Sequence, residues 1–470
     1  MQLSRRAVLG GAAAGAMLGL VGCKTRVDAR TAPIILNAAP ATAPVLGELE
    51  APTEIWAYNG QTPGPVLRVP RGGELAVRLE NGLAQDTSIH WHGVRIDNAM
   101  DGVVGMTQDP VTPGTGFDYR FACPDAGTFW YHSHNRSWEQ VARGLYGVLI
   151  VEEPEPPAVD REVTLVLDDW RLDEAGAIHE ASFGALRDWA HAGRIGNWVT
   201  VNGKPPGDFP IRAGERIRLR VLNAATARIF AIAVEGHAAQ VAALDGFAVA
   251  PYAPAESVLL GPGQRVDFVL DATGEPGGRY ALLDDAYDDP RPIGFFAYSD
   301  EAPLRERFDA APTLGETRKP AAPDLSDPLR SDMIVAGGAM GGLGQAMLDG
   351  EMKGMRELAQ AGRVWAVNGV AGDLDKPLLS ARLGRTVAVR MVNDTRWPHA
   401  MHLHGHHFTV LSVDGTPDPA AGSVWRDTHL MMPGEEAEIA FVADNPGKWF
   451  FHCHMLGHQA GGMRTWIEVG

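Results

Sequence analysis

The segment His452-Cys453-His454-Met455-Leu456-Gly457-His458, followed by Met463, gathers three imidazoles, a thiol and two thioethers within a dozen residues. On a strand, side chains alternate between faces, so His452 and His454 share one face and Cys453 takes the other. One peptide can then serve two metal sites. A thiolate, two imidazoles and a weak thioether suit an electron-transfer copper, here Cys453, His458, Met463 and one further histidine. The alternative, histidines crowding a terminal strand without a metal, is disfavoured because histidine is ordinarily isolated and half-buried.

Three more clusters stand upstream: His90-Trp91-His92, His132-Ser133-His134 and His399-Ala400-Met401-His402-Leu403-His404. With the tail they use ten of the sixteen histidines. In each His-x-His pair the side chains share a strand face, so four pairs can converge as eight imidazoles on one cavity. Eight are too many for one ion. Imidazole suits copper, zinc, iron or nickel, and the adjacent thiolate-thioether site favours copper, so a copper cluster between the outer parts of the chain is expected. His399, three residues before His402, falls on the opposite face and can complete the Cys453 site. His179, His191, His237, His406, His407 and His429 show no such spacing and are expected to be ordinary core or surface residues.

These ligands need elements to hold them, and the chain repeats itself at domain length. Trp56-Ala57-Tyr58-Asn59-Gly60 is echoed by Trp198 to Asn202-Gly203 and by Trp365-Ala366-Val367-Asn368-Gly369. Downstream of each, a turn glycine (Gly73, Gly214, Gly384) opens a period-two strand ending at Asn81, Asn223 or Asn393. A Pro-Gly turn then leads to a second glycine: Gly114 to Gly127, Gly263 to Gly278, Gly434 to Gly447. Five residues beyond that glycine stand His132, Leu283 and His452, and seven beyond stand His134, Asp285 and His454. The middle copy has no histidines there. Short strands with Gly, Pro and Asn turns predict β-sandwich or barrel domains over 31–155, 160–301 and 329–470, with a linker at 302–328 rich in Pro, Ala and charge.

At 470 residues the chain suits about three domains. A net charge of -17 argues against nucleic acid or anionic lipid as a partner and leaves small molecules or metal cations. Of three cysteines, Cys453 is assigned to metal and Cys23 to the leader, so no disulfide framework remains and Cys123 reads as a small buried thiol. Residues 1–30 read as an export signal: Arg5-Arg6 with Ala-Val-Leu is similar to a twin-arginine signal, and Leu20-Val21-Gly22-Cys23 to a lipobox in which Cys23 is acylated. The expectation is a monomer of the periplasm or cell envelope, with membrane attachment through a lipid on Cys23 or release as a soluble protein.

The four histidine motifs, in this order, closely resemble those of the multicopper oxidases, specifically three-domain bacterial laccase-like members, over about Asn37 to Gly470. The resemblance implies an all-β fold of three cupredoxin-like Greek-key domains carrying four copper ions. It implies a type 1 copper on His399, Cys453, His458 and axial Met463, a type 2 copper on His90 and His402, and a type 3 pair on His92, His132, His134, His404, His452 and His454. Electrons would pass from an exposed edge of His458 through Cys453 to His452 and His454, and O2 would be reduced to water after four one-electron steps. The family's proton relay corresponds to Asp101, which an Asp-Gly turn would equally explain. Where some members place an acid after the second type 1 histidine, this chain has Gln459.

The donor is open: phenols and aromatic amines, or Cu(I). Met333, Met340, Met347, Met352 and Met355 put five of fifteen methionines into 23 residues. Soft thioethers select Cu(I), which makes Met340, Met347, Met352 and Met355 candidates for docking it. Alternatively Leu348, Met352, Met355 and Ala359 lie near helical spacing and would be packing residues. A copper-sequestering resistance protein with incidental oxidase activity is the second reading. A metal-free relative is disfavoured by the intact ligand set, and a two-domain nitrite reductase by the third repeat.

Overall fold

A computed structural model describes residues 33–287, 289–315 and 319–470. The leader, with Arg5, Arg6 and Cys23, lies outside the described residues. No helix among those described is long and apolar enough to cross a membrane.

Each repeat forms two facing sheets. In the first, Thr53–Tyr58, Ile34–Ala43, Glu74–Asn81 and Gly116–Ala122 form one sheet, and Gly64–Pro70, Tyr146–Glu152, Gly127–Ser133 and Ile89–His92 the other. The second and third repeats each pair a six-stranded with a five-stranded sheet. The described residues are almost all β, with only short helical turns between the strands. No strand or helix occurs among the described residues of 302–328, although Leu314 is buried against Ala242, Ala243 and Val269 of the second repeat.

The repeated sequence anchors build the same joint three times. Asn59, Asn202 and Asn368 adopt left-handed φ of 54°, 55° and 50°, each followed by a glycine, as a tight Asn-Gly turn demands. Each side-chain oxygen accepts from a main-chain N–H of the neighbouring strand, of Asn37, Val166 and Ile334 at 2.7–2.8 Å. Asn81, Asn223 and Asn393 likewise donate across their domains to Val111, Leu260 and Met432 carbonyls at 2.7–2.8 Å. These asparagines satisfy main-chain groups where the strands turn, which fixes sheet register.

Register then places the histidines. His90 lies opposite His132, and His402 opposite His452, on adjacent antiparallel strands. The corresponding pair in the second repeat is Ala233 and Leu283. Residues of the first and third repeats share one apolar cluster, including Trp91, Tyr131, Met401 and Trp449, so the outer repeats meet directly.

The methionine-rich segment is not the helix its spacing suggests. Gln345–Leu348 and Glu351–Gly354 pair as a hairpin, and only Met355–Gln360 is helical. Gly350, at φ 74°, closes the turn and breaks the helical period. Met333 is core, whereas Met340, Met352 and Met355 are 75%, 54% and 53% exposed. The packing reading therefore fails for Met352 and Met355.

Candidate metal centre

Two groups of ligand atoms form, as far apart as the two faces of the strand Gly447–Cys453 permit. On one face Cys453 Sγ stands 3.7 Å from His399 Nδ1 and 3.7 Å from His458 Nδ1, with the two nitrogens 3.0 Å apart. Both ring tautomers are fixed from behind. His399 Nε2–H donates to Thr395 Oγ1 at 2.9 Å, and His458 Nε2–H to the His191 carbonyl at 2.8 Å, which turns both Nδ1 lone pairs toward the sulfur. Met463 is wholly buried, and its carbonyl accepts from Cys453 N–H at 3.1 Å. Burial pushes the Cys453 thiol up to about 12, so a cation is needed to hold the thiolate.

On the opposite face eight imidazoles converge in three sets: His90 with His402, both within reach of His92; His92, His132 and His454; and His134, His404 and His452. Their inward nitrogens have no protein partner. His90 Nε2, His92 Nδ1, His134 Nε2 and His402 Nε2 are buried without a hydrogen bond, while His404 and His452 bring Nε2 atoms to 3.1 Å of one another and His132 and His454 to 3.4 Å. Burial, then the neighbouring imidazoles, hold His132, His134, His404 and His454 well below the usual histidine range. Neutral rings with inward lone pairs and no donor to meet them fit metal ions.

The outward nitrogens of six of the eight rings are engaged. Nδ1–H donates to a main-chain carbonyl from His90 (Asp101, 2.9 Å), His132 (Ser133, 3.0 Å), His402 (Asp427, 3.0 Å) and His452 (Cys453, 2.9 Å). His92 is the exception: its Nε2–H donates to Asp427 Oδ1 at 3.0 Å, which is why its Nδ1 faces inward. Asp101, fully buried, accepts from His404 Nδ1–H at 3.0 Å and lies 3.2 Å from His90 Nδ1. The carboxylate thus touches two rings from different sets.

Sequence reasoning did not find Asp427 or Arg265. Arg265 Nη1 and Nη2 grip Asp427 at 2.9 and 2.6 Å, while Nε reaches the Thr128 carbonyl and the remaining hydrogens the Gly263 and Asp245 carbonyls. One buried guanidinium therefore ties the middle repeat, which contributes no histidine to either ligand group, to both outer ones. Burial opposes charge on Asp427, yet Arg265 and His92 hold its carboxyl well below the usual range. Gly263, the second residue of the Pro-Gly anchor, has φ 86°, and an added Cβ would meet His454 Cγ and His92 Cε1 at 3.0 Å. The anchor was visible as a repeat, but its contact with the cluster was not.

Two expectations need correction. His458 has no exposed edge: it is 0% exposed, covered by Trp365 and the segment around His191. His191 is accordingly more than a surface residue without partners, because its carbonyl holds the His458 ring. His406 and His407 are core residues, with His407 Nε2 3.7 Å from Asp427.

Three multicopper oxidase family models match, over residues 41–156, 161–300 and 349–470. The chain is 30% identical to the multicopper oxidase MmcO of Mycobacterium tuberculosis, across 99% of this chain and 97% of that protein. It belongs to the multicopper oxidase family. Among solved structures, a multi-copper oxidase from Pseudomonas thermotolerans is similar at a TM-score of 0.81 and 32% identity, covering 94% of this chain and 100% of that one. A metallo-oxidase from Campylobacter jejuni gives a TM-score of 0.77 at 27% identity, over 93% and 90% of the two chains. As a multicopper oxidase, the protein is a copper-dependent oxidoreductase that takes O2 as acceptor and binds four coppers, one of type 1 and three in a trinuclear cluster.

Proposed function

We propose that His399, Cys453, His458 and Met463 hold the type 1 copper, that His90 and His402 hold the type 2 copper, and that the triads His92/His132/His454 and His134/His404/His452 hold the type 3 pair. The observation that carries this is the strand end His452-Cys453-His454, whose cysteine faces one ligand group while its neighbours face the other. Copper held there supplies one-electron oxidation of a donor at the first group and reduction of O2 to water at the second. The Cys453 carbonyl, accepting from His452 Nδ1–H, adds a short bonded link between the groups. Asp101 holds a proton-accepting carboxylate against His404 and His90, where reduction of O2 consumes protons. Enclosure of the cluster between the outer repeats excludes bulk water.

For the donor, the exposed Met340, Met352 and Met355 favour Cu(I) alongside phenols and aromatic amines. The Campylobacter jejuni relative, a metallo-oxidase, points the same way. Parallel oxygen uptake with Cu(I) and a phenol separates them: replacing Met340, Met352 and Met355 by Leu should slow the Cu(I) reaction alone. Equal rates before and after in both reactions would remove the docking role. Copper sequestration with incidental oxidase activity is the second reading, favoured by the same exposed thioethers, and copper bound stoichiometrically but never turned over would support it. The twin-arginine-like leader supports a monomer exported to the periplasm or cell envelope, with Cys23 lipidated; fatty-acid labelling that persists in Cys23→Ala would refute the lipid. The net charge of -17 supports the absence of nucleic acid among its partners.

A further inference from the structure

The His458 edge through which a donor would approach the type 1 group is closed by the middle repeat. Three consecutive carbonyls of that repeat accept hydrogen bonds from the third. Trp365 Nε1–H donates to Trp189 O at 2.6 Å, Ala339 N–H to Ala190 O at 2.6 Å, and His458 Nε2–H to His191 O at 2.8 Å. The segment is therefore strapped down residue by residue. It continues a short helix, Leu186–Trp189, and Trp189 is itself backed by Trp138 at 5.4 Å between ring centroids.

What the strap shows outward is an aromatic pair. The half-buried His191 ring packs on half-buried Trp397 at 5.3 Å, and Trp397 Nε1–H donates to the carbonyl of Ala339, the residue whose N–H holds Ala190. His191 Nδ1–H donates to the Arg187 carbonyl at 2.6 Å, which leaves Nε2 as an acceptor on a ring set edge-on to Trp397, at 60° between planes. A flat ring and an adjacent acceptor suit a phenol, whose O–H can donate while its ring packs.

We propose that His191, with Trp397, is the docking and specificity-determining site for the phenol donors of this oxidase, and that these phenols never touch His458. This rests on the reading of His399, Cys453 and His458 as the type 1 site. The one electron that a phenol loses would cross the His191 carbonyl and its hydrogen bond to His458 to reach the copper that His399, Cys453 and His458 would hold as one-electron acceptor, and the phenol O–H bond breaks as its proton goes to solvent. Larger phenols pack only on the strap surface and are oxidised more slowly than small ones.

The test uses the blue absorption of the copper-loaded protein as its reference, since that band reports the type 1 site regardless of the strap. His191→Ala keeps the carbonyl and removes the docking ring. With the band unchanged, its KM for a small phenol is expected to rise roughly fivefold at unchanged kcat. Binding of 4-nitrophenol to copper-free protein, followed by equilibrium dialysis, should weaken by a similar factor. Gly457→Ala is the second variant: a Cβ there comes within 2.7 Å of Trp189 Cδ1 and pushes the strap outward. It is expected to raise kcat/KM for a bulky phenol relative to a small one. An unchanged KM and unchanged 4-nitrophenol binding in His191→Ala, or an unchanged bulky-to-small ratio in Gly457→Ala, overturns the proposal. A wild-type protein loaded with copper but lacking the blue band would instead overturn the type 1 reading.

Discussion

Replacing Arg265 by methionine removes a side chain that binds all three repeats and leaves Asp427 buried beside two cluster histidines. Arg265 and Asp427 are both 0% exposed and paired through two hydrogen bonds of 2.9 and 2.6 Å. Breaking a buried pair by removing one partner costs about 3–5 kcal/mol, because the other charge stays behind without compensation. That is a large share of the roughly 5–15 kcal/mol that holds a folded domain. Asp427 also sets the tautomer of His92, and loss of such outer support lowers metal affinity about 10–100-fold. Urea unfolding of copper-free protein should show the first effect, and copper release to a chelator, under conditions where the fold persists, the second. Arg265→Lys keeps the charge without the planar fork and should fall between. Wild-type unfolding and copper retention in Arg265→Met would refute this reasoning.

Other outcomes follow from the same contacts. Asp101→Asn keeps an acceptor for His404 but no proton-holding carboxylate, so stopped-flow reduction by the donor should be unchanged while reoxidation by O2 slows by about 10²–10⁴. His92, His132, His134, His404, His452 and His454 are held neutral chiefly by burial, with folded values below the unfolded one near 6.5. The unfolded state therefore binds more protons, and copper-free protein should lose up to about 1.4 kcal/mol per imidazole between about pH 7.5 and about pH 5.5, read as a falling urea midpoint; a flat midpoint would contradict it. Gly263→Ala drives a methyl against His92 and His454, so it should cost about 1–3 kcal/mol and alter the spectra of the trinuclear cluster while sparing the blue band.

The candidate ligands were legible because metal chemistry restricts residue type and strand alternation restricts spacing: His399 and His402 stand three apart and do fall in different ligand groups. The Asn-Gly joints were legible for a similar reason, since few residues accept their left-handed φ. Asp427 and Arg265 carried no signal, because each becomes functional through a partner 162 residues away. The strap was invisible for another reason. Its hydrogen bonds to the third repeat use main-chain carbonyls, which any residue supplies, so Trp189-Ala190-His191 looks in sequence like an ordinary loop. The methionine segment misled because a hairpin of two four-residue strands can mimic helical spacing over a short stretch.

The most direct test is to count copper and read its spectrum in wild type and in Cys453→Ser. Wild type should hold four coppers per chain with an intense blue band. Cys453→Ser should lose the band and one copper while keeping the three that lie on the opposite strand face. Retention of the blue band in Cys453→Ser, or loss of all four ions together with an intact fold, would contradict a strand that serves two separate copper centres.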